Sequence, residues 1–193
     1  AIYPIMMFFA APILGQLSDH YGRKKVLSFC LAGTALGYVL FALAILTRNI
    51  PLLFASRILD GLTGGNISVA QAAIADVSTP QNRAKNFGLM GMAFGVGFVV
   101  GPFLGGVLAD PSIMSWFSAA VPFWFAAILA TVNAIAVFFF LPETNKHLKN
   151  EKLTWTKSIT DIAKAFTIKE MRLLFAIQFL FQGGFSFFVS FFA

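Results

Sequence analysis

The sequence predicts an all-α membrane protein, a polytopic bundle of six transmembrane helices. Composition is the first observation: 58% of the 193 residues are hydrophobic and only 11% are charged. A soluble domain carries about twice that share of charge. Spacing is the second. The charges gather between six apolar runs, at residues 1–14, 26–46, 52–77, 87–109, 119–141 and 173–193. A bilayer core of about 30 Å takes about 20 helical residues to cross. Asymmetry is the third. Arg23, Lys24, Lys25, Arg83, Lys85 and the basic residues from Lys146 to Arg172 lie in alternate connections, whereas only Arg48 lies in the others. Basic residues are retained on the cytoplasmic side, so connections 15–25, 78–86 and 143–172 are expected in the cytoplasm. The pI of about 9.7 then reports topology, and no nucleic-acid partner is expected.

Taken in order, run one is cut short by the start of the chain. It leads into GQLSDHYGRKKVL at residues 15–27, which reads as a tight charged turn flanked by Gly15 and Gly22, with Asp19 and Arg23 four apart. Run three, read as one helix at about 100° per residue, aligns Arg57, Asp60, Gly64, Ser68 and Gln71 in one polar stripe. A charge in mid-membrane costs roughly 2.5–3.5 kcal/mol. Pairing of Arg57 with Asp60 at i,i+3 offsets part of that, and the pairing is expected to keep Asp60 ionised. The stripe reads as a cavity wall for cargo or coupling, or else as a buried pair that sets register. In run four, Gly97, Gly101 and Gly105 form a small-residue face, and Pro102 removes a helical donor. Between residues 144 and 172 the chain turns polar, with Trp155, Ile159, Ile162 and Phe166 at helical spacing, the pattern of a helix lying on the cytoplasmic leaflet. The last run carries Gln178, Gln182 and Ser186 on one face, suited to cargo or to helix–helix hydrogen bonds.

Several classes are excluded. Soluble helices show a polar face that these runs lack. The start of the chain has no basic leader of the kind that opens a signal peptide. Cys30 is the single cysteine and forms no internal disulfide, and His20 and His147 stand without metal-ligand spacing. No phosphate-binding loop and no nucleophile–base set appears. The chain is therefore not read as an enzyme, and an ion gradient is the natural driver.

The segment at residues 15–27 resembles the cytoplasmic loop signature of the major facilitator superfamily, G-x-L-a-D-r-x-G-r-k-x-x-l, through Gly15, Leu17, Asp19, Gly22, Arg23, Lys24 and Leu27. His20 departs from the basic residue usual there. GVGFVVGPFLGG in run four resembles the helix-five pattern of the drug–proton antiporters, through Gly97, Gly101, Pro102, Gly105 and Gly106. Arg57 and Gly61 fit R-x-x-q-G, with Asp60 in place of Gln. IADVSTPQNRAKNFG and LPET look like the tetracycline-efflux branch.

The resemblance implies six helices, family helices two to seven, of an expected twelve. It divides the chain into most of an N-terminal half at residues 1–142, a linker at 143–170 and the first helix of a second half at 171–193. It implies a latch built from Asp19, Arg23 and Asp76, with Gly15, Gly22 and Lys24 shaping it. Proton-coupled efflux of small amphipathic molecules by a monomer in a bacterial inner membrane follows, with protons and lipid as partners and no cofactor. A metabolite uniporter or symporter on the same fold, or a non-transporting receptor or scaffold, is the alternative.

Overall fold

The structure, a computed structural model, describes residues 2–145 and 167–192. The chain divides into two compact units, Ala1–Lys152 and Leu153–Ala193. Among the described residues the first holds six helices: α1 Ile2–Tyr21, α2 Arg23–Thr47, α3 Ile50–Gly64, α4 Asn66–Asp76, α5 Arg83–Ala109 and α6 Val121–Phe140. The second holds α7, Lys169–Phe192. Among the described residues each of the six expected apolar runs is mainly helical, and no strand occurs there. The amphipathic helix expected at Trp155–Phe166 lies outside them.

Two boundaries differ from the sequence expectation. The charged segment at 15–27 is not a loop. Helix α1 runs on through Asp19 to Tyr21, α2 starts at Arg23, and Gly22 alone makes the turn. Its φ of 101° and ψ of 147° lie in a region that is essentially reserved for glycine. The polar residues that suggested a loop stay helical because their side chains are satisfied between helix ends, as described below.

Run three is the second difference. It breaks at Gly65 into α3 and α4. A Cβ on Gly65 would sit 2.8 Å from the Ala11 Cα of α1, so the break coincides with backbone-to-backbone contact that only glycine permits. The expected stripe from Arg57 to Gln71 therefore does not exist as one helical face. Ser68 donates to the Ala11 carbonyl at 3.3 Å and to the Gly65 carbonyl at 2.7 Å, so its hydroxyl is spent on backbone where α4 meets α1. Gln71 is exposed.

Other turns follow local chemistry. Helix α2 closes on Arg48 in the left-handed region, φ 52°, where its N–H reaches the carbonyls of Ala44 and Ile45. Asn49 then caps α3 by accepting from the Leu52 N–H at 3.1 Å, with Pro51 in the first turn, where its missing donor costs nothing. At the far end of α5, the Ser112 N–H donates to Asp110 Oδ1 at 2.8 Å. That bond holds the exposed Asp110 carboxyl below its ordinary range.

Helix α2 is central, packing most extensively on α6 and α3, while α1 packs on α3. Ala10, Leu14, Val26, Leu27, Cys30 and Val69 form the buried apolar cluster, joined by Leu17, Val137 and Leu141. This cluster lies one helical turn from the charged residues at the ends of α1, α2 and α6. Helix α5 contrasts with the rest. It has no buried residue, and a Cβ on Gly97, Gly101, Gly105 or Gly106 would meet no atom within 4 Å. The expected tight packing at this glycine face is not made by any described residue. The close helix approaches occur instead at Gly37, Gly61, Gly64 and Gly65 around α3.

Candidate functional site

Four helix ends carry the first site. Arg23, at the start of α2, has a side chain only 10% exposed. Its Nη2 pairs with Asp19 Oδ1 at 2.6 Å, and its Nε pairs with Asp76 Oδ2 at 3.1 Å. Its Nη1 donates to Ser18 Oγ, and Ser18 Oγ donates on to the Gly15 carbonyl at 2.7 Å. One guanidinium thus joins the end of α1 to the end of α4. Planarity makes this possible, since the fixed fork presents donors in several directions at once. Asp19, Arg23 and Asp76, expected to act together, are brought together. Gly15 takes part through its carbonyl. Lys24 takes part through its backbone rather than its charge.

The sequence reading missed Glu143. The first turn of α2 has orphan N–H groups, and Gly22 offers no side chain to cap them. Glu143, three residues past α6, supplies the acceptor: its Oε1 accepts from the Arg23 N–H at 2.8 Å and its Oε2 from the Lys24 N–H at 3.2 Å. A carboxylate at a helix N-terminus also meets the positive end of the helix dipole. Thr144 Oγ1 donates to Asp76 Oδ2 at 3.4 Å, and Asn145 Nδ2 donates to the Asp19 carbonyl at 3.1 Å. The residues ETN therefore fasten α6 onto the same cluster. The sequence signals were the position of LPET after an apolar run and its likeness to the tetracycline-efflux branch. Glu143→Gln is expected to lower stability by roughly 1 kcal/mol through loss of that charge at the helix terminus, read as a fall in the unfolding temperature of the protein in detergent. An unchanged unfolding temperature would refute the capping role.

The second site lies within the helices. Arg57 Nη1 sits 3.4 Å from Asp60 Oδ2, with Asp60 almost wholly buried and the Arg57 side chain 24% exposed. The guanidinium carbon lies 4.0 Å from the centroid of Phe41, and 5.9 Å from those of Tyr38 and Phe123. Aromatic faces attract a cation at such distances. Gly37 lets α3 come this close, since a Cβ there would lie 3.0 Å from the Asp60 Cβ. Nε and Nη2 of Arg57 are buried without a hydrogen-bond partner among the described residues. Leaving such donors unpaired costs about 1–3 kcal/mol each. Of the other residues expected to contact cargo, Gln178 is exposed on α7, and the side chain of Gln182 lies outside the described residues. No group of metal-binding residues occurs among those described.

The family model described as Major Facilitator Superfamily matches residues 1–193. The chain is 38% identical over 184 residues to the class H tetracycline resistance protein of Pasteurella multocida, covering 94% of this chain and 44% of that protein. It is 36% identical over 142 residues to human major facilitator superfamily domain-containing protein 10, covering 74% of this chain and 29% of that one. The crystal structure of the human organic anion transporter MFSD10 superposes with a TM-score of 0.68 at 31% identity, over 81% of this chain and 34% of that chain. The chain thus spans less than half the length of these relatives. With a multi-helix membrane architecture, a charged cluster at the α1–α2 turn and a family match along its full length, the chain belongs to the major facilitator superfamily.

Proposed function

We propose that this chain works within a secondary active transporter that exports small amphipathic molecules against proton entry by alternating access. The observation that carries the reading is the Arg23 cluster, which ties the ends of α1, α2, α4 and α6 together through bonds that separate if these helix ends part. Alternating access needs a fastening of moderate strength on one face, since a state held too firmly never exchanges. Several charge-assisted bonds at a half-exposed site fit that need better than one dry ion pair. The tetracycline resistance relatives support export as the direction and small amphipathic molecules as the cargo.

The basic residues beside the cluster favour the cytoplasm for that face. On this reading the fastened face is the closed one, and the cargo path opens to the opposite side of the membrane for release. The glycine–proline face of α5, with Gly97, Gly101, Pro102, Gly105 and Gly106, would seal the path against leak on meeting a helix beyond the described residues. The assignment of residues 1–142, 143–170 and 171–193 to a first half, a linker and the start of a second half belongs to the same proposal. So do a bacterial inner membrane, a monomeric state and operation without a cofactor.

The test is proton movement driven by cargo. The full-length protein in proteoliposomes should couple tetracycline movement to proton flux in the opposite direction. Tetracycline flux that continues unchanged when the proton gradient is collapsed would instead assign a uniporter, the other reading of the fold. Asp60→Asn divides the coupling question: loss of uphill transport with retained exchange would make Asp60 the proton carrier. Retained uphill transport, the expected result for a residue paired to Arg57, places coupling elsewhere.

A further inference from the structure

Helices α2 and α6 carry a groove that neither the Arg23 cluster nor the Arg57–Asp60 pair uses. Both helices are long and apolar enough to cross a membrane. The groove between them measures about 480 Å³ and is lined from Ser28 to Val39 on α2 and from Thr131 to Phe139 on α6. Ala32, Ala35 and Ala134 line it with small side chains that leave the space. Leu36, Ile135 and Phe139 stand along it, each more than half exposed. On a helix turning about 100° per residue, Gly37 and Phe41, which meet Asp60 and Arg57, fall on the opposite side of α2 from Ser28 and Val39. The groove therefore faces away from α3. Its mouth is basic. Lys24 stands one turn before Ser28 on the same face, and its Nζ lies 5.8 Å from the ring centroid of Phe138, a groove residue. Lys25, exposed, flanks the same stripe on its other side. No carboxylate pairs with either ammonium among the described residues.

We propose that this groove seats one acyl chain of an anionic phospholipid, with the lipid phosphate held between Lys24 and Lys25. The site is separate from the cargo path and stands whatever the direction or coupling of transport. Three features select this occupant. The first is length. From Ser28 to Val39 the lining rises about 16 Å at about 1.5 Å per residue, close to half of a hydrocarbon core of about 30 Å. The groove is thus as long as one leaflet is deep. The second is polarity. Ser28 and Thr131 are its only polar lining residues, and the Thr131 hydroxyl is spent on the Ala127 carbonyl at 2.7 Å. Such a lining suits a hydrocarbon chain. The third is charge. The unpaired ammonium groups stand at the end of the groove where α2 begins and α6 ends, at the depth of a headgroup. Basic side chains at that depth attract anionic lipids. A zwitterionic lipid offers the same chain but brings its own cation to the two lysines, so the groove should sort lipids by headgroup charge.

The experiment uses the full-length protein in nanodiscs of phosphatidylcholine with phosphatidylglycerol as the minor lipid. Ile135→p-benzoylphenylalanine places a photo-reactive group in the groove wall, and mass spectrometry identifies what it captures. Phosphatidylglycerol adducts should exceed that lipid's share of the bilayer about fivefold or more, the scale of one lysine–headgroup attraction. Adding Lys24→Gln with Lys25→Gln should return the adducts to the bilayer ratio. So should adding Ala32→Phe, which fills the groove and leaves both lysines in place; Ala32 is exposed, so the larger side chain is accommodated. A further measurement leaves the groove and its lysines intact: at about 1 M salt, where the screening length falls to about 3 Å, the enrichment should shrink toward the bilayer ratio. Adducts at the bilayer ratio in the starting protein, enrichment that survives loss of the lysines or filling of the groove, or enrichment indifferent to salt would each overturn the proposal. Cross-links running only to the protein's own chain would overturn it too, and would give the groove to a segment outside the described residues.

Discussion

Arg23→Gln is expected to release the helix ends and to abolish most active export while the protein is still made. Removing one partner from a buried ion pair costs about 3–5 kcal/mol. The two carboxylates here keep about a third of their side-chain surface open, 34% for Asp19 and 29% for Asp76. Water therefore takes up part of the loss, and about 2–3 kcal/mol is the expected fall in stability of the fastened state. A shift of that size changes the ratio of two conformations by roughly 30- to 150-fold. Asp19→Asn should act in the same direction with a smaller effect, about 1–3 kcal/mol, the range for one charge-assisted bond. Because both substitutions act through the same guanidinium, their effects should not add. Export by cells producing equal amounts of each full-length variant, with unfolding temperature in detergent, checks this. Normal export by both variants would leave the cluster as a lipid-facing anchor and nothing more.

Gly22→Ala is expected to cost about 2–4 kcal/mol, from two separable causes. The first is backbone conformation. At φ 101°, ψ 147° an alanine is strained by about 1–3 kcal/mol. The second is space. The added Cβ would overlap the Glu143 carboxylate and push it off the α2 N-terminus, losing the two N–H bonds to Arg23 and Lys24. The doubly substituted protein Gly22→Ala, Glu143→Ala separates the causes. Its loss should be smaller than the sum of the single losses, because the carboxylate is already gone. Strictly additive unfolding energies would show that Gly22 and Glu143 do not meet. Any side chain at residue 22 should behave as alanine does or worse, since all share the Cβ.

What could be read from the chain alone was set by local chemistry and by the bilayer. Apolar runs in a low-dielectric slab must be helical, since every backbone donor and acceptor has to be satisfied within its own segment. Runs at 26–46 and 119–141 therefore returned as α2 and α6 within a few residues. Asp19 and Arg23 stand four apart, so their meeting needs only a turn. The pairing of Arg57 with Asp60 at i,i+3 follows from the helix alone.

Tertiary structure decided the rest, because it depends on which backbones touch. Nothing in the order of residues says that Gly65 meets Ala11, yet that contact accompanies the division of run three, and with it the expected stripe of Ser68 and Gln71 dissolves. Glu143 lies 120 residues from Arg23, and no periodicity spans that interval; only the packing of α2 on α6 carries the carboxylate to the helix terminus that lacks a cap. The glycines of α5 were as visible in the sequence as those around α3, but a small residue records only the possibility of close approach. Whether a neighbour fills it is settled by the helices that arrive there.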